Sequence, residues 1–348
     1  MPKACKVWIN GEQLTAKPGD VLLDVALMNG VELPHDCRSG YCGTCQVRVV
    51  RGRCLGTPTS NPDVVHACQT RIISDLHVVA ERVPEITDAS GTVVDVTDIG
   101  SDVLELCIES RHPIEHVPGQ YISLQFSGFP ARYYSPTAPL DWPSDPSLLR
   151  FHVRRLPTGR VSSALGRRIR RGHRVKMTGP FGAAYFRADQ RGRLVLISGG
   201  TGFAPIWAIA EAAIKERPAR ELILIAGARE LCSLYMIPAL CRLALFPRVT
   251  IIATVSSQQD VTPAIRHGSP TSYLPPLSSR DVVYVAGAPA LVDAVGQIAR
   301  ASGTSCFADP FLPAPDRVEE RTFFSRTTAW FAPAAQTPPR LELLLARQ

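Results

Sequence analysis

His35-Asp36-Cys37-Arg38-Ser39-Gly40-Tyr41-Cys42-Gly43-Thr44-Cys45 places three thiols within nine residues, four residues apart and then two. Twenty-two residues separate Cys45 from Cys68. This spacing lets one loop wrap a [2Fe-2S] cluster, supply three thiolates and aim backbone N–H groups at the sulfides. Gly40 and Gly43 suit such a loop, because a side chain would collide where backbone approaches the cluster. The competing reading is zinc. Zinc sites usually pair two Cys-x2-Cys units, and a four-residue gap followed by a two-residue gap does not match. The expected metal ligands are Cys37, Cys42, Cys45 and Cys68. Cys54 competes for the fourth place but follows too soon after the strand that leaves the loop.

Around this loop the first 83 residues read as one unit. Val7-Trp8-Ile9 is a strand signal and Asn10-Gly11 a hairpin signal. Asp20 is placed to cap a helix from Val21 to about Met28, ended by Asn29-Gly30. Cys45, Val47 and Val49 alternate as one strand face, and Leu76 to Val79 form another strand. In its cysteines and their setting this segment resembles the plant-type ferredoxin domain, which implies a β-grasp-like fold. The separation of Cys45 from Cys68 is shorter than that family usually shows, so the loop from Arg51 to Asp63 is read as trimmed.

The whole chain has 348 residues, 45% of them hydrophobic, with 38 basic and 31 acidic side chains. That composition excludes wholesale disorder and collagen-like structure, and the length suits two or three domains. Residues 1 to 85 hold nine basic and nine acidic residues, so the remainder carries the net charge of +7. Ten cysteines without an export signal argue against a disulfide framework. Leu194 to Ala210 is the longest apolar run, but three glycines and Pro205 break it. No membrane span is expected, and the expected location is cytoplasmic.

Pro84 to Gly91 reads as a linker. Val93–Val96, Leu104–Ile108, Tyr121–Phe126, Phe151–Arg154 and Val175–Thr178 read as short strands of an antiparallel β-barrel. Three motifs fall on it: Arg132-Tyr133-Tyr134-Ser135; Gly159-Arg160-Val161-Ser162 after the strand holding Val153; and Gly179-Pro180-Phe181-Gly182. A glycine-led turn with a serine opening a helix is a phosphate-binding arrangement. In this order the three resemble the flavin domain of the ferredoxin–NADP reductase superfamily. The resemblance implies that Arg132 pairs with the FAD pyrophosphate, that Tyr134 packs on the isoalloxazine and that Ser135 bonds near flavin N5. It implies further FAD contacts from Val153, Gly159, Val161 and Ser162.

From Arg193 bare apolar strands alternate with helical stretches, which implies a doubly wound parallel α/β sheet. Ser198-Gly199-Gly200-Thr201-Gly202-Phe203-Ala204-Pro205 follows the first of its strands. It is not the G-x-G-x-x-G fingerprint. Small residues still let backbone approach a pyrophosphate at a helix N-terminus, and Pro205 suits a first turn. Gly287-Ala288-Pro289 is a second such loop. In the superfamily these loops hold NAD(P)H, which implies contacts from Gly199, Gly200, Thr201, Gly202, Pro205, Gly287, Ala288 and Pro289. The cysteine common before the second glycine is Ala286 here. Phe307-Ala308-Asp309-Pro310-Phe311 resembles the superfamily's C-terminal motif, whose aromatics lie by the flavin; Phe311, Tyr134 and Ser135 are therefore the expected catalytic residues. Arg229 would attract a 2′-phosphate and Glu230 would repel it, so NADH is favoured over NADPH.

The basic run Arg167 to Lys176 has no interleaved aromatics and reads as a solvated face, with docking of an acidic partner as a second reading. His112 and His116 read as solvated loop residues. The expected domains are 1–83 for the ferredoxin unit, 84–91 for the linker, 92–190 for the FAD barrel, 191–312 for the NAD domain and 313–348 for a tail. Phe323, Phe324, Trp330 and Phe331 make the tail a candidate docking segment. The order ferredoxin, FAD barrel, NAD domain resembles the NADH-dependent reductase component of multicomponent oxygenases. That implies an enzyme passing electrons from NADH through FAD to the [2Fe-2S] cluster, then to a terminal oxygenase or intermediate ferredoxin, with no nucleic-acid or membrane partner. Two alternatives stand beside it: the reductase of a deoxysugar-forming dehydratase, and a non-catalytic iron–sulfur redox sensor.

Overall fold

The computed structural model describes residues 4–35, 38–40, 43–56, 59, 63–81, 84–138, 145, 147–257 and 264–312. Cys37, Cys42 and the tail from 313 onward lie outside the described residues.

The first module contains β1 (Cys5–Ile9), β2 (Glu12–Ala16), α1 (Leu22–Met28), β3 (Gln46–Leu55), β4 (Val64–His66) and β5 (Arg71–Ala80). Its sheet runs β2-β1-β5-β3-β4. β1 and β5 are parallel and the other pairs antiparallel. α1 buries Leu22, Leu23, Val25 and Ala26 against Val7, Ile9, Ile72 and Leu76, a β-grasp arrangement. Asn10 and Gly11 both take positive φ, 50° and 93°, as a two-residue hairpin turn requires. Asp20 does not cap α1. Its carboxylate accepts the Lys17 N–H at 2.7 Å instead, closing the preceding turn. The first turn of α1 is held by tertiary contact, with the Leu22 N–H donating to the Thr70 carbonyl at 2.9 Å.

The second module contains β6 (Thr87–Asp98), β7 (Val103–Ser110), β8 (Tyr121–Phe126), β9 (Arg132–Tyr134), β10 (Pro136–Thr137), β11 (Leu148–Arg154) and β12 (Arg174–Phe181). The sheet is antiparallel, runs β10-β11-β7-β6-β12-β8-β9 and nearly closes on itself. Phe126, Phe151, Leu106, Ile108 and Met177 fill it. β6 begins at Thr87, inside the stretch expected to be linker. Thr87 to Thr92 pair with Gly179 to Arg174 of β12. Thr87, Asp88 and Ser90 are exposed, which suits their polarity, and a backbone ladder forms without side-chain apolarity.

The third module contains β13 (Leu194–Gly199), α2 (Phe203–Glu216), β14 (Leu222–Ala228), α3 (Ile237–Leu243), β15 (Val249–Val255), β16 (Ile265–His267), β17 (Val282–Gly287), α4 (Pro289–Ala301) and β18 (Ser305–Pro310). The sheet is parallel, in the order β16-β15-β14-β13-β17-β18. α2 and α3 cover one face and α4 the other, so the module is doubly wound. The strand order reverses between β13 and β17, and the loops after them flank the crevice at the carboxyl edge. No helix among the described residues is long and apolar enough to cross a membrane.

Candidate functional site

The loops after β13 and β17 press together without side chains between them. A Cβ on Gly202 would stand 2.2 Å from the Ala286 carbonyl oxygen, and one on Gly287, at φ 134°, would stand 2.7 Å from that of Gly199. Gly200 has φ 56°, Thr201 lies beside it, and Pro205 sits in the first turn of α2. Ala288 is exposed and Pro289 opens α4. Arg154 of β11 reaches this edge from the barrel. Its Nη2 lies 2.8 Å from where a Gly200 Cβ would be, and its Nε lies 3.0 Å from Asp102 Oδ2. Arg154 carries no local sequence signal of this role, because nothing beside it distinguishes it from Arg155. Small backbone, a 14-residue helix and a guanidinium converge here, and the set fits a dinucleotide pyrophosphate. Arg229 and Glu230, past the end of β14, are both exposed.

In the barrel, Ser135 is buried and its hydroxyl donates to Asp309 Oδ2 at 3.4 Å. The Asp309 carboxyl, partly buried in β18 beside Ser135, is pushed up to about 7 by desolvation. Asp309 stood within the aromatic C-terminal motif, yet its sequence gave no sign of a raised pKa. Tyr134 packs edge-on against Phe151 at 6.4 Å, and burial raises its phenol well above the ordinary value. Arg132 is partly exposed, with Nη1 donating to the Ala131 carbonyl at 2.8 Å. Val153 and Val161 turn their side chains into the barrel core. Ser162 does not open a helix. Residues 157 to 164 are turns, and the Ser162 hydroxyl accepts the Leu156 N–H at 3.2 Å. Gly159 is required beside it, because a Cβ there would stand 2.2 Å from Ser162 Oγ. Gly159, Arg160, Ser163 and Arg168 border a cavity of about 280 Å³, whose basic, small-residue wall fits a phosphate group of FAD. Phe311 is bonded through its N–H to the Gly287 carbonyl at 2.7 Å, so the C-terminal motif is tied to the second loop.

Of the four expected cluster ligands, Cys45 and Cys68 are described, and they lie on adjacent backbone. The Ala67 N–H donates to the Cys45 carbonyl at 3.0 Å. Cys54 sits far along β3, opposite Ile72. Burial also raises the Cys54 thiol, which disfavours the thiolate a metal needs. Arg38, Gly40 and Gly43 all take positive φ, so the loop turns sharply where backbone must approach a cluster. This donor set and loop shape fit a [2Fe-2S] group. The same loop rests on the barrel: the Gly182 N–H donates to Thr44 Oγ1 at 3.0 Å.

Comparison with known proteins matches this architecture module by module. Residues 7–72 match the family described as 2Fe-2S iron-sulfur cluster binding domain, 90–186 the oxidoreductase FAD-binding domain and 196–297 the oxidoreductase NAD-binding domain. The chain is 31% identical over 327 residues to the naphthalene 1,2-dioxygenase system ferredoxin–NAD(P)(+) reductase component of Pseudomonas putida, covering 87% of this chain and 97% of that protein. It is 33% identical over 285 residues to the aromatic O-demethylase reductase subunit of an Amycolatopsis strain, covering 76% and 84%. The crystal structure of an Amycolatopsis cytochrome P450 reductase superimposes with a TM-score of 0.65 at 29% identity, covering 89% of this chain and 99% of that one. The three modules in this order, and a relative covered almost end to end, place the chain in the family of FAD- and [2Fe-2S]-containing ferredoxin–NAD(P)(+) reductase components of oxygenase systems.

Proposed function

We propose that this reductase draws on NADH in preference to NADPH and delivers its electrons to a terminal oxygenase, directly or through a separate ferredoxin. A bound flavin supplies the change from two-electron to one-electron transfer. The chain's own residues supply placement. Gly199, Gly200, Thr201, Gly202 and Pro205, with Gly287, Ala288 and Pro289, offer backbone to the nucleotide, and Arg154 adds charge at the same edge. Arg132, Tyr134, Gly159 and Ser162 line the flavin side, and Val153 and Val161, whose side chains fill the barrel core, offer it backbone only. Ser135 and Asp309 form a hydroxyl–carboxyl pair between barrel and nucleotide module, and Asp309 holds a proton near neutral pH that Ser135 Oγ is placed to exchange. Cys37, Cys42, Cys45 and Cys68 ligate the cluster. Arg229 next to Glu230 makes a poor pocket for a 2′-phosphate, which supports NADH.

The observation that carries this reading is the Thr44–Gly182 hydrogen bond, which sets the cluster loop on the flavin barrel. A Cys42→Ser protein tests it. It is expected to keep NADH-to-ferricyanide turnover within about twofold of wild type and to lose nearly all NADH-to-cytochrome c turnover, with NADH giving the higher kcat/KM. Equal loss toward both acceptors would refute a linear carrier order.

A further inference from the structure

Two contacts join the cluster-bearing module to the flavin-bearing one at separate points. At the first, Thr44 accepts the Gly182 N–H, and a Cβ built on Gly43 would stand 3.1 Å from Ala183 Cβ. At the second, Glu81, the residue directly after β5, meets Arg187, past the end of β12. Arg187 Nη2 and Nε lie 2.7 Å and 2.9 Å from Glu81 Oε2, and the Tyr185 hydroxyl donates to the same oxygen. Arg187 is fixed from its own side. Its Nη1 donates to the Ala183 and Tyr185 carbonyls at 3.0 Å each. Its guanidinium lies 4.0 Å from the Tyr185 ring centre and 3.8 Å from that of Phe307 in β18. One side chain therefore touches all three modules.

The two partners are unequal. The Arg187 side chain is 8% exposed and that of Glu81 46%. The guanidinium is built into the reductase, whereas the carboxylate arrives with the ferredoxin module. Burial raises the Glu81 carboxyl, but the bonds and charge of Arg187 outweigh this and hold it below the usual range. Between the two contacts lies a cleft of about 320 Å³, with Cys45 and Arg48 on one wall and Pro180 and Arg187 on the other. Among the described residues the apolar cores of the two modules stay separate clusters, and such junctions move unless something fixes them.

We propose that Glu81 and Arg187 form a docking latch that, together with the Thr44–Gly182 bond, holds the cluster loop against the flavin module for electron transfer. Glu81 is then a positioning residue for that step. The latch rests on the two modules being consecutive carriers. Removing its carboxylate leaves a buried guanidinium without its counter-charge, and reversing it adds repulsion. The two contacts are coupled through the chain, because Arg187 also bonds the carbonyl of Ala183, next to the Gly182 amide that Thr44 accepts.

The test uses the full-length holoprotein with Glu81→Lys and Glu81→Asp, checked for iron, sulfide and FAD content. Glu81→Lys is expected to leave NADH-to-ferricyanide turnover unchanged and to slow NADH-to-cytochrome c turnover about tenfold, equivalent to ~1.4 kcal/mol. Hydrogen exchange at the Gly182 amide is expected to quicken in the same variant, and Glu81→Asp to restore most of both. Equal slowing with both acceptors would overturn the latch, as would unchanged cytochrome c turnover with unchanged Gly182 exchange. Cytochrome c turnover that survives Cys42→Ser would instead overturn the carrier order beneath it.

Discussion

Asp309 shows how one side chain sets a pH dependence. Folded, it holds its proton up to about pH 7 because burial penalises the charge. Unfolded, it loses the proton near pH 4. Folding therefore takes up a proton between these limits, so the stability contributed at this site falls as pH rises from about 4 to about 7 and stays low above that. Asp309→Asn removes the penalty while keeping the shape. The variant is expected to be more stable than wild type by about 2 kcal/mol at pH 8, allowing for partial solvent access, and by only about 0.5 kcal/mol at pH 4.5. Thermal melts at the two pH values check this. A gain of equal size at both would mean the carboxyl is not protonated in the fold.

β6 carries the clearest lesson about elements. Gly91 belongs to a stretch that reads as linker, where a methyl group would be harmless. In the structure it lies between strands, and a Cβ would stand 2.5 Å from the Glu109 carbonyl oxygen and 3.0 Å from Ile108 Cγ2. The obstacle on one side is backbone and cannot swing away. Gly91→Ala is expected to cost about 1–3 kcal/mol, the range for an overpacked site, and to weaken FAD retention. Chemical denaturation and flavin release on dilution measure both. A variant as stable as wild type would return this segment to the linker. The displaced cap of α1 makes the same point: Asp20 has the right residue type, but the turn from Lys17 claims its carboxylate first.

At the scale of the molecule, the ferredoxin core is a cluster of its own. Val7, Leu22, Ile72 and Leu76 pack among themselves, apart from the barrel residues around Phe126 and Phe151. Damage to one cofactor site should therefore leave the other standing. Cys68→Ser is expected to abolish cluster assembly and to keep one FAD per chain, whereas Cys54→Ser is expected to keep both. Iron, sulfide and flavin analysis distinguishes these outcomes. Cluster loss in Cys54→Ser with retention in Cys68→Ser would reverse the ligand assignment.

What the sequence by itself determined is what short-range chemistry encodes. The three module types and their order were legible because each leaves a local signature: clustered thiols with glycines, period-two strands between turn residues, bare apolar strands followed by small-residue loops. The candidate backbone at Gly199 to Gly202 and at Gly287 was legible for the same reason, since glycine marks where backbone must come close. Only the tertiary structure decided which distant residues share a space. Arg154 reaches the loop after β13, Asp309 meets Ser135 across 174 positions, and Glu81 meets Arg187 across 106. No local pattern encodes these pairings. Each arises because independent modules pack in one orientation, and burial then gives ordinary carboxylates and guanidinium groups energies that their sequence neighbours do not set.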